Sequence, residues 1–223
     1  MSVAIITGAS RGLGLALATG LADAGWRLVL TGRDADTLDA AVRRLPAGAA
    51  VAVPGDVTDS WHRESVLAAS EELGGLDLLV NNAGILGPSP LPPVAATPTS
   101  ALREVYEVNV LAPLALAQAA LPTLRARAGT LVNISSDAAV TPYEGWGGYG
   151  SAKAALDLLS AVLAVEEPGV RVWWVDPGDL RTRMHQDAFP GEDISDRPEP
   201  ESVVPAFLKL LGDRPASGRV RLA

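Results

Sequence analysis

The sequence predicts a doubly wound α/β fold, a mostly parallel sheet of about seven strands with helices on both faces. Three observations carry this. Short apolar runs alternate with helix-period stretches along the chain. Ala, Leu, Val and Gly dominate while aromatic residues are few, a mix that suits parallel strands packed under helices. The first apolar run ends in a glycine cluster that leads directly into a helix pattern.

The elements follow in order. Val3–Ile6 reads as a buried strand. Leu13, Leu17 and Leu21 recur every fourth residue and mark a helix, and Arg27–Leu30 is the second strand. Leu38, Val42 and Leu45 give the next helix, with Asp34 or Asp36 as its cap. Val51–Val53 is strand three, Asp59–Leu73 a helix and Leu76–Val80 strand four. Pro88, Pro90, Pro92, Pro93 and Pro98 then crowd one stretch, which excludes helix and central strand and makes a stiff connector. A long helix is expected from about Thr99 to Arg125, kinked or broken at Pro113. Thr130–Ile134 is strand five, Ser151–Val165 an apolar helix, Val170–Val175 strand six and Arg219–Leu222 a short last strand. The polar stretch 183–201 has no clear periodicity and follows strand six, on the side where ligands bind such sheets, so it reads as a substrate loop.

One sheet of this kind absorbs all 223 residues, and no repeat or linker divides them, so 1–223 reads as one domain. The formal net charge of -8 provides no electrostatic footprint for nucleic acid or an anionic membrane. The chain has no cysteine, which excludes disulfides and thiolate chemistry, and neither His62 nor His185 has metal-ligand spacing around it. The N-terminus lacks a basic signal-type region, and no apolar run is long enough to span a bilayer; a cytoplasmic location is the expectation.

Strand one ends in Thr7-Gly8-Ala9-Ser10-Arg11-Gly12-Leu13-Gly14. Glycines let the backbone approach a diphosphate, and the helix start offers free N–H groups and a positive dipole end. The spacing is G-x-x-x-G-x-G rather than G-x-G-x-x-G. Strand two ends in Thr31-Gly32-Arg33-Asp34. An NAD-specific sheet places a carboxylate at this strand end, whereas here Arg33 follows Gly32 and Arg11 stands in the glycine loop. Guanidinium groups match a phosphate, so the pair predicts NADPH/NADP+ over NADH, with Asp34 explained as a helix cap.

Strand four runs into Asn81-Asn82-Ala83-Gly84 and strand five into Asn133-Ile134-Ser135-Ser136, both at strand ends where ligands bind. Tyr149 and Lys153 are four apart and share one helix face. A tyrosine ordinarily loses its proton near pH 10, and a nearby ammonium lowers that, which readies Tyr149 for proton transfer near neutrality. Ser136 can hydrogen-bond a substrate oxygen as charge develops on it.

Together these motifs resemble the short-chain dehydrogenase/reductase family, of the single-domain, NADP(H)-preferring, Rossmann-type kind. The match rests on Thr7–Gly14, Asp56-Val57, Asn81–Gly84, Asn109, Ser136, Tyr149, Lys153, Pro177-Gly178 and Thr182, in family order and spacing over residues 3 to about 182. The resemblance implies a catalytic set of Asn109, Ser136, Tyr149 and Lys153. It also implies that Gly8, Ser10, Arg11, Gly12, Leu13, Gly14, Arg33, Asn82, Ala83 and Gly84 hold the cofactor. Asp56 would take the adenine amino group with Val57 beside the ring. Asn109 would hold a water that relays protons through Lys153, which would also bind the nicotinamide ribose. Pro177, Gly178, Leu180 and Thr182 would wrap the nicotinamide end. No metal is implied.

The chain departs from the pattern in three places. Trp173 stands where the family often has Asn, and Trp173 and Trp174 read as packing residues. Asp176 and Asp179 flank Pro177-Gly178 and point to a cationic or hydroxyl-rich substrate, or else to exposed loop residues. The glycine-rich tail used in tetramer contacts is not seen, which predicts a homodimer through the helix 151–165 and the long helix before it. The functional expectation is an oxidoreductase on a small carbonyl or alcohol. A non-catalytic NADPH sensor normally lacks the tyrosine or lysine, and both are present. A 3-oxoacyl thioester reductase would dock an acidic carrier, which the six carboxylates against two arginines in 183–201 disfavour.

Overall fold

A computed structural model describes residues 1–222. The seven strands are β1 Val3–Thr7, β2 Arg27–Gly32, β3 Ala50–Pro54, β4 Leu78–Asn81, β5 Thr130–Ile134, β6 Arg171–Asp176 and β7 Gly218–Arg221. They form one sheet in the order β3-β2-β1-β4-β5-β6-β7, and every neighbouring pair is parallel. The order reverses at β1, whose neighbours are β2 and β4. The crevice beyond the carboxyl ends of β1 and β4 is therefore the place where such a sheet takes a ligand.

Alternate strand residues feed two cores, as the two-residue period requires. On one face Ala4, Ile6, Leu28, Leu30, Leu78 and Val80 pack with α1 (Gly12–Asp23) and α8 (Val204–Asp213) through Leu13, Leu17, Leu21, Phe207 and Leu210. On the other, Ile5, Val29, Leu79, Leu131 and Val172 pack with α3 (Ser60–Glu72) and α5 (Ala112–Ala126). The remaining helices are α2 Ala35–Val42, α4 Thr99–Tyr106, α6 Gly147–Glu166 and α7 Arg183–Ala188. Trp173 is wholly buried in the first core, with its indole N–H donated to Ala216 O at 3.2 Å, so it packs as expected.

Several expectations change. The stretch expected as one helix from Thr99 is α4, a π-helical segment Glu107–Leu111, and α5. Pro113 sits in the first turn of α5, and the irregularity falls just before it, where the proline cannot donate to the preceding turn. This 28-residue helical run is long and apolar enough to cross a membrane by length and composition, contrary to the sequence reading. Its Leu116, Ala117, Ala120, Leu121 and Leu124 pack against the sheet. α6 begins at Gly147, four residues early, so Tyr149 lies in its first turn. Glycines there let other segments close in, since a Cβ on Gly147 would meet Val94 Cγ2 at 2.1 Å and one on Gly150 would meet Ala138 O at 2.6 Å.

The stretch 183–201 is partly regular. Thr182 Oγ1 accepts from His185 N and starts α7, and Pro200–Val203 forms a 3-10 turn. The sequence reading has no element between there and the last strand, yet α8 forms and packs on α1. Gly20 permits that approach, because a Cβ would stand 2.3 Å from Val204 Cγ1.

Candidate active site

The glycine loop turns tightly at Gly8, with φ +65°, and at Gly12, with φ +55°. Both conformations favour glycine. A Cβ on Gly8 would lie 2.9 Å from Ala83 Cα, so this glycine also lets β1 and β4 end side by side. Thr7 Oγ1 accepts from the N–H groups of Asn82 and Ala83, each at 2.9 Å, and Asn82 Nδ2 donates to Thr7 O at 2.8 Å. The two strand ends are thus pinned as one rigid floor.

A cleft of about 800 Å³ opens over that floor. Gly8, Ser10, Arg11, Gly12 and Leu13 line it from the loop, Arg33 from the end of β2, Asp56 and Val57 from the end of β3, and Asn82, Ala83 and Gly84 from the end of β4. Ser136, Tyr149, Lys153, Pro177, Gly178, Leu180 and Thr182 line the other end. Two predicted site residues do not line the cleft. Gly14 sits beneath the loop, where a Cβ would meet Gly8 O at 2.4 Å and Asn82 Nδ2 at 2.6 Å, so it serves close helix–strand packing rather than contact with a ligand. Asn109 is wholly buried in the π-helical segment. Its Oδ1 accepts from Ile85 N at 2.9 Å and its Nδ2 donates to Ile85 O at 2.8 Å, so its amide ties that segment to the loop after β4.

The β2–β3 end of the cleft carries two arginines, Arg11 and Arg33, with Asp34 and Asp56 beside them. No side chain caps α1, whose N-cap is Arg11, and its first turn holds no acidic residue, which leaves its N–H groups and dipole to an anion. Asp34 Oδ1 accepts from Thr37 N at 2.8 Å as the cap of α2, and this bond holds its carboxyl below the usual range. Asp56 Oδ1 accepts from Thr58 N and Oγ1, which likewise lowers it, and Arg33 adds to the pull. The glycines, the uncapped helix end and the two arginines fit a nicotinamide dinucleotide with a 2′-phosphate. Gly8, Ser10, Arg11 and Gly12 would hold the phosphates and Arg33 the 2′-phosphate.

At the β5–β6 end Ser136 Oγ donates to Asp137 Oδ1 at 3.0 Å, and Tyr143 OH donates to Asp137 Oδ2 at 2.8 Å. Trp146 packs edge-on against Tyr149, with ring centroids 5.8 Å apart, and Phe189 packs on Trp146. Lys153 is buried and its Nζ donates to Ile134 O at 2.7 Å, 5.5 Å from the Tyr149 ring centroid. Burial pulls the Lys153 ammonium down to about 8, against the attraction of Asp157. Burial also pushes the Tyr149 phenol above its ordinary value, and the carboxylates of Asp137 and Asp176 push the same way, while its bond with Ser136 opposes them. Burial and the two carboxylates set the direction opposite to the lowering expected from Lys153, whose Nζ is held on the Ile134 carbonyl. A phenol raised this way keeps its proton at neutral pH, and giving it up requires the resulting phenolate to be stabilised.

The carboxylates flanking Pro177 differ. Asp176 is buried, accepts from Gly178 N at 3.0 Å and lies 3.4 Å from Arg219 Nη2, so it is not an exposed loop residue, though it too lines the cleft. Asp179 is exposed and borders the cleft. The substrate loop expected at 183–201 contributes Arg183, Met184, His185 and Asp187 to the cleft, and Ser89 and Trp146 line it as well. Sequence reasoning missed Asp137 and the pairing of Asp157 with Arg219. Asp137 adjoins Ser136, which was a usable signal; the salt bridge joins residues 62 apart and left none.

A family model for short chain dehydrogenase matches residues 2–193 of this chain. The chain belongs to that family. Sepiapterin reductase of Meriones unguiculatus is 38% identical over 204 residues, covering 83% of this chain and 76% of that protein. An alcohol dehydrogenase from Thermococcus sibiricus, solved with 5-hydroxy-NADP, superposes with TM-score 0.89 at 28% identity, covering 99% of this chain and 95% of that one. A short-chain dehydrogenase from Shigella flexneri, solved with NADP, superposes with TM-score 0.91 at 28% identity over 99% of this chain and 96% of that one. This short-chain dehydrogenase is accordingly an oxidoreductase of the nicotinamide-using kind.

Proposed function

We propose that this short-chain dehydrogenase uses NADPH/NADP+ to interconvert a small carbonyl compound and its alcohol, as a cytoplasmic homodimer. The observation that carries the reading is the pairing of two ends in one cleft. One end offers Arg11 and Arg33 with Asp34 tied to Thr37, and the other offers Tyr149, kept protonated, beside Ser136. The NADP-bearing structures of similar chains support the choice of cofactor.

When bound, the cofactor supplies or accepts a hydride. The chain's own residues do the rest. Ser136 turns its hydroxyl from Asp137 to the substrate oxygen and orients it. Tyr149 gives that oxygen its proton in the reductive direction and takes it back in the oxidative one. Lys153 stabilises the phenolate that results. Asn109 holds the loop after β4 in register with Lys153: a Cβ on Gly84 would meet Asn109 Oδ1 at 3.1 Å and Lys153 Nζ at 3.8 Å. The aromatic wall of Trp146 and Phe189 gives the substrate an apolar side.

The test is a panel of carbonyls and alcohols run with NADPH and with NADH. Turnover is expected with NADPH, and Tyr149→Phe is expected to lower kcat by about 10²–10⁴-fold while leaving NADPH binding by fluorescence intact. Near wild-type turnover in Tyr149→Phe would sink the assignment of the proton donor, and a preference for NADH would sink the assignment of the cofactor.

A further inference from the structure

Behind the cleft, α6 carries a second charged side chain one turn past Lys153. Asp157 is buried, and at i+4 it shares the face of Lys153. Its Oδ2 accepts from Arg219 Nε at 3.3 Å, while its Oδ1 is buried beside the hydroxyl of Ser135, which helps to lower the carboxyl. Arg219 comes from β7, and its guanidinium also donates through Nη2 to the main-chain oxygen of Ser136 at 2.9 Å. The same Nη2 lies 3.4 Å from Asp176 Oδ2. One guanidinium thus joins α6, the end of β6 and the catalytic serine's backbone from the side opposite the cleft.

The other charged and titratable groups around Lys153 do not take this place. On α6 itself Tyr149 is kept neutral by burial. After β5, Asp137 accepts from Ser136 and Tyr143. On β6, Asp176 is occupied by Gly178 N and Arg219. In the π-helical segment Asn109 is uncharged and Glu107 is exposed, and on α4 Arg103 and Glu104 are exposed while Val105 packs toward α6. A carboxylate is costly to bury unless cations flank it. Arg219 pairs with Asp157 directly, and Lys153, its Nζ on Ile134 O, acts on it through space from the preceding helical turn.

We propose that Asp157, clamped by Arg219, is a positioning residue for proton transfer: it is the buried counter-charge that keeps Lys153 an ammonium beneath Tyr149. The importance of Lys153 to Tyr149 rests on the function proposed above, whereas the charge relation between Asp157 and Lys153 does not. Burial pushes the Lys153 ammonium down, and Asp157 is the charge that opposes this; the Asp157 carboxyl, itself pushed up by burial, is held down first by Ser135 and Arg219 and then by Lys153. Removing the carboxylate takes an attraction from Lys153 and leaves burial unopposed. Its midpoint must then fall further, and the ammonium is lost at lower pH.

The chain has two lysines, Lys153 and Lys209, so protein labelled with ¹³C at lysine Cε gives two side-chain signals. Lys209 is exposed and paired with Asp213 on α8, which makes it an internal control. In wild type the Lys153 signal is expected to titrate at about 8. In Asp157→Asn it is expected to move down by about one pH unit with Lys209 unmoved, and Asp157→Glu should restore it. The alkaline limb of kcat for NADPH-dependent reduction should move down with it. An unchanged or raised midpoint in Asp157→Asn overturns the proposal, as does a lowered midpoint with an unmoved alkaline limb. If Asp157→Asn does not fold, wild type decides: the Lys153 signal must show a second inflection at acid pH, where Asp157 takes its proton, and a single inflection overturns the proposal. A shifted midpoint in a protein that turns over no carbonyl would instead count against the proposed function alone.

Discussion

Arg33 stands one residue beyond β2 and lines the cleft near Asp56, with Arg11 on the loop beside it. A guanidinium here matters only to a cofactor that carries an extra phosphate at this end. Arg33→Ser is therefore expected to raise KM for NADPH by about 10–100-fold, since a hydrogen bond to a charged group contributes roughly 1.5–3 kcal/mol. KM for NADH should barely change. Initial rates with both cofactors check this, and an equal loss on both would mean that Arg33 supports the fold rather than the phosphate. Residue chemistry at this end was legible because it is local: Gly8, Gly12, Arg33 and the capping Asp34 sit close to one another or to a strand end in the chain. The protonation of Tyr149 was not. It depends on burial and on Asp137 and Asp176, which only the closed fold brings near.

The π-helical segment Glu107–Leu111 is the element on which the site's geometry turns. A widened turn of this kind is rare and often lies at a functional site, and here both ends of the Asn109 amide meet the main chain of Ile85. Asn109→Leu would leave those Ile85 groups unpaired beside a buried side chain, at a cost of about 1–3 kcal/mol. The expected loss in Tm is about 2–4 °C for each kcal/mol in a chain of this size. It should come with a fall in kcat, because the same loop carries Gly84 against Lys153. Thermal unfolding and turnover check the pair; an unchanged Tm would show that the amide holds nothing in place. Elements with a strong period were legible before folding, as the Leu13, Leu17, Leu21 helix shows. The π-helical turn was not, because Pro113 marks an irregularity without saying which kind or where it falls. α8 was missed for a related reason: it is short, and its apolar residues make sense only against Gly20 and α1.

At the scale of the whole molecule, an apolar surface on α6 has no partner among the described residues. Leu158, Val162 and Val165 recur at helix spacing along α6 and are exposed, with Val165 at 81% and Leu158 at 68%. Leu111, at the end of the π-helical segment, is exposed as well. The opposite face of α6 is fixed by Ala152 and Leu156 in the core, so the helix cannot rotate to hide this stripe. A second copy meeting it by two-fold symmetry would bury the same residues twice with one surface. Burying each leucine or valine would contribute roughly 1.5–3 kcal/mol before the cost of association. The wild-type protein is therefore expected to sediment as a dimer at micromolar concentration, and Leu158→Glu with Val162→Glu should make it a monomer that retains its far-UV spectrum. Because Tyr149 and Lys153 lie on the same helix, the monomer is expected to lose activity more than it loses NADPH binding. A wild-type monomer in analytical ultracentrifugation, or a double variant that stays dimeric, would place the interface elsewhere and leave the α6 stripe without a role in assembly.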